Sequence, residues 1–103
     1  MNYRVLITAI AEDDAGDIGK YIANELHSPQ AAIDLLDEID AIIHSLKQMP
    51  KKFALVSDKR LARMGIRSIP LGKYIVFYFV DEQSKKVVIT RILYGARKWA
   101  HLL

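Results

Sequence analysis

The chain has no cysteine among its 103 residues. That removes a disulfide framework, thiol catalysis and cysteine-based metal sites, and it suits a reducing compartment, so a cytoplasmic protein is expected. Long apolar runs are also missing. The longest is Tyr74 to Val80, far short of the roughly 20 residues that span a bilayer. No membrane association is therefore expected. The opening residues Met1-Asn2-Tyr3-Arg4-Val5-Leu6 lack a long apolar stretch followed by small residues, so no signal peptide is expected. There is no internal repeat and no low-complexity segment. Metal patterns are missing too: His27 and His44 have no ligand partners at suitable spacing, and Asp13-Asp14 and Asp37/Glu38/Asp40 fall on the outer sides of predicted helices. No metal and no cofactor is implied.

What is present is a globular composition, 51% hydrophobic and 26% charged, at a length that suits one domain over residues 1–103. The net charge of +3 conceals a division. Residues 1–46 carry two basic residues against nine acids, a net of −7, and residues 47–103 carry thirteen against three, a net of +10. A basic half of this size points to an anionic partner: nucleic acid, a machine that handles it, or an acidic protein.

Periodicity gives the order of elements. Tyr3 to Ile7 is rich in β-formers and reads as a first strand. A helix is predicted from the acidic stretch Ala11 to Asp14, with Ile18, Tyr21, Ile22 and Leu26 on its apolar face. Ser28-Pro29 predicts a second helix start, Ser as N-cap and Pro at the first helical position. Ala32, Leu35, Leu36, Ile39, Ile42, Ile43 and Leu46 then form its core stripe, which ends at Met49-Pro50. Lys51 to Lys59 reads as a basic connector, Arg63 to Ile69 as a second strand, and Pro70-Leu71-Gly72 as a turn or bulge. Lys73 to Val80 is the third strand and Lys86 to Tyr94 the fourth, joined at Asp81-Glu82-Gln83-Ser84. The third strand is apolar on both faces, so it needs cover on both. A helical hairpin supplies one cover, and the chain's tail or a partner supplies the other. The expected fold is α+β: a strand and an antiparallel helical hairpin packed on a small, mainly antiparallel sheet, in the order β-α-α-β-β-β with a short tail.

The chemistry concentrates in cations. Lys51, Lys52, Lys59, Arg60, Arg63, Arg67, Lys73, Arg91, Arg97 and Lys98 form a basic set, and Tyr94 and Trp99 are interleaved with it. Arg with aromatics suits phosphate contact plus stacking, and it equally suits the centre of a protein interface. Arg91 is predicted to share a face with Ile89 and Leu93, so its guanidinium must reach the rim or meet a carboxylate. Trp99, Leu102 and Leu103 have a structural reading as well, folding back to close the core. His101, beside the basic tail, could carry a proton near neutral pH.

Three stretches resemble the ParE/RelE superfamily of toxins from type II toxin–antitoxin modules, the ParE branch most of all. They are Gly65-Ile66-Arg67-Ser68-Ile69-Pro70-Leu71-Gly72-Lys73-Tyr74, Val76-Phe77-Tyr78, and Arg91-Ile92-Leu93-Tyr94-Gly95-Ala96-Arg97-Lys98-Trp99. The resemblance implies a growth inhibitor that binds DNA gyrase without chemistry of its own, neutralised as a hetero-oligomer by a cognate antitoxin. The residues it implies for target or antitoxin contact are Arg67, Lys73, Arg91, Arg97, Lys98 and Trp99. The ribonuclease branch implies the alternative: a ribosome-dependent mRNA interferase acting on ribosome-bound mRNA, with Arg97 and Lys51 or Lys52 on phosphate and His101 as proton carrier. Aligned with that branch, Ile75 falls where a third-strand Arg is common, Arg97 is matched, and the late Tyr has no counterpart but His101. Tyr94 departs from the ParE branch, where many members carry His.

Overall fold

The computed structural model describes residues 2–103. Strand β1 (Arg4–Ile7) leads into helix α1 (Ala9–Lys20), which widens into a π-helical turn (Tyr21–Glu25). Helix α2 (Pro29–Gln48), a short helix α3 (Lys59–Arg63) and strands β2 (Arg67–Leu71), β3 (Tyr74–Asp81) and β4 (Lys86–Tyr94) follow, with a 3-10 turn at Ala100–Leu102. The sheet order is β1-β4-β3-β2, with β1 parallel to β4 and the other pairs antiparallel. The predicted α+β class and element order hold, and α3 is an addition to them.

Local differences from the sequence expectation have physical causes. Helix α1 starts at Ala9 because Thr8 is its N-cap. The Thr8 hydroxyl accepts from the Ala11 N–H at 3.1 Å and donates to the Thr90 carbonyl at 3.0 Å. Pro29 does open α2, but the Ser28 hydroxyl makes no capping bond. Strand β2 begins at Arg67, and Pro70 and Leu71 belong to it, paired with Ile75 and Tyr74. Pro is tolerated because β2 is an edge strand, where a missing N–H costs no ladder bond. The chain between α2 and β2 is more than a connector. Asp58 accepts from the Leu61 N–H at 3.0 Å and caps α3, and Gly65, at φ +84°, ends it in the left-handed region.

Strand β3 is covered on both faces, as its pattern requires. Val76 and Tyr78 face the helical hairpin, where Ala11, Ile22, Leu35, Ile39 and Leu46 meet Ile69, Val87, Ile89 and Ile92. Tyr78 is fully buried and donates to the Pro50 carbonyl at 2.7 Å. Burial pushes its phenol up, more than the nearby Arg67 charge and backbone pull it down, which keeps that donor protonated. Phe77 points the other way, into a second cluster with Val56, Leu61, Ile66 and Leu93. The cover on this face is the chain's own: α3 and the tail, through Trp99, Ala100, Leu102 and Leu103. Each fully buried ring, Phe77 and Tyr78, contributes about 1.5–3 kcal/mol.

One irregularity decides where Arg91 goes. Phe77 lies opposite Arg91 and Tyr78 opposite Ile89, so Thr90 is an extra residue on β4. This bulge reverses the alternation: Ile89 and Ile92 both face the helices, and Arg91 faces the other side with Leu93. The expectation that Arg91 shares a face with both Ile89 and Leu93 is therefore corrected for Ile89.

Candidate target-binding surface

Helix α3 and the tail lie side by side on the second face of the sheet. Their apolar sides, Leu61 and Ala62 from one and Trp99, Ala100 and Leu102 from the other, pack over Phe77. The Trp99 and Phe77 ring centroids are 4.8 Å apart. Arg60 spans the two elements, its guanidinium donating to the Ala100 carbonyl at 3.5 Å. With the apolar sides turned inward, the polar sides are left outward. Lys59, Arg60 and Arg63 on α3, and Arg97, Lys98 and His101 on the tail, are all exposed. Among the described residues none of the six is in an ion pair. Asp58, the acid within this stretch, is occupied as the α3 cap. The result is a cationic surface built on a short helix and a strapped tail.

Besides the Arg60 bond and the packing of Trp99, the tail is held in three further ways. Gly95 sits so close to the β2–β3 turn that a Cβ would come 3.1 Å from the Lys73 carbonyl and 3.5 Å from the Ile75 side chain, so a side chain there would push the two apart. Its N–H donates to that same carbonyl at 2.8 Å. The third tie is Arg91, whose Nη1 donates to the Leu102 carbonyl at 3.4 Å.

Arg91 also makes the chain's main electrostatic joint. Its Nε and Nη2 donate to the two carboxylate oxygens of Asp14, at 2.8 and 3.0 Å. Asp14 in turn accepts the Ile92 N–H at 3.0 Å, a ladder donor left open because β1 pairs only as far as Ile89. The two side chains are 19% and 13% exposed. The Asp14 carboxylate holds the Arg91 guanidinium pKa above its ordinary value, against a smaller effect of burial. No sequence signal marks Asp14 for this role, since 77 residues separate the partners.

The residues singled out from sequence thus fall into separate places. Arg97, Lys98 and Trp99 share the tail, the two cations exposed and Trp99 half-buried on Phe77. Arg67 opens β2 and donates to the Phe53 carbonyl at 2.7 Å. Arg91 is engaged with Asp14, and Lys73 is exposed in the β2–β3 turn. The alternative set is spread more widely. Lys51 pairs with Glu82 at 3.0 Å in the β3–β4 turn, and Lys52 lies over the Phe53 ring at 5.6 Å. Arg97 instead follows the opposite end of β4, its N–H bonded to the Tyr94 carbonyl. At the usual rise per residue, the length of β3 separates the two ends by roughly 20 Å. Ile75 packs in the second cluster beneath the tail. Glu82 accepts from Lys51, Tyr3 and Lys85, and these bonds, Lys51 first, hold its carboxyl down at about 2.

Among the described residues no group of His, Asp and Glu could hold a metal, and no helix is long and apolar enough to cross a membrane. The arrangement offers a charged docking surface on a rigid sheet.

A β-α-α-α-β-β-β chain with a helical hairpin on one face of a four-stranded sheet is the architecture of toxin–antitoxin proteins of known structure. A chain of the chromosomal ParDE system from P. aeruginosa superposes with TM-score 0.70 at 20% identity, over 89% of this chain and 95% of that one. A chain of the archaeal RelE–RelB complex from Pyrococcus horikoshii gives 0.59 at 22% identity, over 94% and 99%. A chain of the RelBE toxin–antitoxin complex from Mycobacterium tuberculosis gives 0.57 at 19%, over 91% and 99%. No curated protein matches by sequence at a significant level. Residues 5–99 match the family described as ParE toxin of type II toxin-antitoxin system, parDE. The chain belongs to that family, and it is a type II toxin–antitoxin toxin.

Proposed function

We propose that this toxin arrests growth by binding DNA gyrase through the α3–tail surface, and that a cognate antitoxin covers it in a hetero-oligomer. The observation that carries this reading is the cationic surface itself: six exposed basic or imidazole side chains on two adjacent elements, with no ion-pair partner among the described residues. A binding inhibitor needs such a surface and no proton carrier. Arg97, Lys98 and Trp99 are the proposed core of it, with Lys59, Arg60 and Arg63 alongside. Arg67, Lys73 and Arg91 are proposed contacts at its margins or supports. Arg91 acts by holding Leu102 in place. The structures of related fold are of toxin–antitoxin systems, two of them complexes, which supports an antitoxin partner.

A second reading, an mRNA interferase on the ribosome, draws on Arg97 and His101 lying on one exposed tail. The pairing of Lys51 with Glu82 at the far end of the sheet and the aliphatic Ile75 beneath the tail weigh against the set of Arg97 with Lys51, because cations that stabilise in-line attack by a 2′-hydroxyl must converge on one phosphate. Induction of the chain alone in a bacterial host separates the readings. Growth arrest with a DNA-damage response is expected. Arrest with primer-extension stops inside translated codons would replace gyrase by the ribosome and its mRNA, and unimpaired growth would mean that toxicity has been lost.

A further inference from the structure

A second surface, of opposite character, lies at the tip of the helical hairpin. There the π-helical turn faces the end of the sheet across an open cavity of about 520 Å³. Three tyrosines line it: Tyr21 from the π-helical turn, Tyr74 from β3 and Tyr94 from β4. The Tyr74 and Tyr94 rings meet edge to face, with centroids 5.9 Å apart. Tyr21, Leu26 and Tyr94 are each about half exposed, at 51, 54 and 47%. Burial, then the proximity of Tyr21 and Tyr94, push the Tyr74 phenol up. The cavity runs on into a second, of about 400 Å³, that shares Leu26, Lys73 and Tyr74 and passes between α2 and the β2–β3 turn. The backbone is unusual at this place as well. A π-helical turn is rare and often found at functional sites, and His27, two residues after it, has φ +50°.

Charge selects what would fit. Asp17 lines the first cavity and Asp34 and Glu38 the second, against the single cation Lys73. None of the three carboxylates is in an ion pair among the described residues; Asp34 accepts only the Gln30 amide, at 2.9 Å. Aromatic faces beside carboxylates over an aliphatic floor suit a guanidinium or ammonium carried on an apolar chain. Phosphate is disfavoured by the same carboxylates. A second copy presenting its own groove would bring like charges together.

We propose that this groove docks a cationic, apolar segment of a partner protein: arginine or lysine side chains alternating with leucine or isoleucine. The volume accommodates two or three such side chains. Of the residues proposed for target contact the groove shares only Lys73, and its aromatic and acidic lining is separate from Arg97 and Lys98, so failure of one reading is distinguishable from failure of the other.

The test uses the full chain with ring-labelled tyrosine and tryptophan, followed by NMR, so that Trp99 reports the tail. The probe is a capped heptapeptide alternating Leu and Arg, and the control alternates Leu and Glu. Saturable shifts of Tyr21, Tyr74 and Tyr94 with the Leu/Arg peptide alone are expected. Affinity should fall at least tenfold in Tyr94→Ser and in the double variant Asp17→Asn/Glu38→Gln. Leu26→Ser, at another exposed position, should weaken binding similarly and guards against a misfolded Tyr94 variant. Equal shifts with the Leu/Glu peptide, shifts confined to Trp99 and the tail, or shifts driven by protein concentration alone would overturn the proposal; the last would mean self-association.

Discussion

Replacing Asp14 with alanine removes three hydrogen bonds at once: two to the Arg91 guanidinium and one to the Ile92 N–H. The Arg91 guanidinium would remain in a site where its side chain is only 19% exposed, with the Leu102 carbonyl as its remaining acceptor. The Ile92 donor would face a strand edge that β1 no longer covers. Removing one member of a fully buried pair costs about 3–5 kcal/mol. Here both side chains keep some water contact and one acceptor survives, so a loss of about 3 kcal/mol is expected, at the lower end of that range. For a domain of this size that lowers the melting temperature by roughly 12–20 °C. The chain's single tryptophan, Trp99, packs on Phe77 and reports unfolding directly, so urea titration followed by its fluorescence is the assay. Arg91→Met, alone and combined with Asp14→Ala, completes a double-mutant cycle. The double variant should lose clearly less than the sum of the two single losses. A loss below about 1 kcal/mol for Asp14→Ala, with additive behaviour in the double variant, would mean that the two side chains form only a solvent-screened surface pair and do not secure the β4 edge.

Gly65→Ala should destabilise the fold by about 1–2 kcal/mol, through the backbone alone, since Gly65 has φ +84° and a Cβ there would meet nothing within 4 Å; the same urea titration measures it. Glu82 predicts an acid dependence. Its folded pKa is lowered from 4.5 to about 2, so its contribution to stability is complete above about 4.5 and is lost as pH falls toward about 2. Comparing melting temperatures of the wild type and Glu82→Gln across that window checks it: the gap between them should close as pH falls, and a constant gap would count against the pairing with Lys51 and Lys85. Lys59→Glu combined with Arg63→Glu should leave stability nearly unchanged, both side chains being exposed, while it weakens growth arrest at equal expression.

The features legible in the sequence were those with strong local periodicity. The stripe from Ala32 to Leu46 set α2, with Leu36 alone of its members left exposed, and the two-sided apolar run of β3 required cover on both faces, which the helical hairpin supplies on one and α3 with the tail on the other. Helix α3 escaped because five residues are too few to show a helical period. Its only signals were its caps, Asp58 before it and Gly65 after it. The bulge at Thr90 could not be read either: a single inserted residue leaves the apolar pattern looking continuous, yet it moves Arg91 to the opposite face from Ile89. Position in the fold sorted the cations where composition could not. Arg97 and Lys98 emerged beside Lys59, Arg60 and Arg63, whereas Arg91 turned inward to Asp14 and Lys51 lay at the far end of the hairpin with Glu82. The tyrosine groove had no linear signature, since its three rings come from an unusual helical turn and two strand ends.

The cationic α3–tail surface as the gyrase-binding site is tested most directly by a reconstituted supercoiling reaction with purified gyrase, relaxed plasmid and the purified chain. The wild type should inhibit supercoiling and leave cleaved plasmid on denaturation, and Arg97→Glu/Lys98→Glu should abolish both effects while unfolding at the same urea concentration. Unimpaired supercoiling in the presence of a folded wild-type chain that cuts mRNA on translating ribosomes would contradict it.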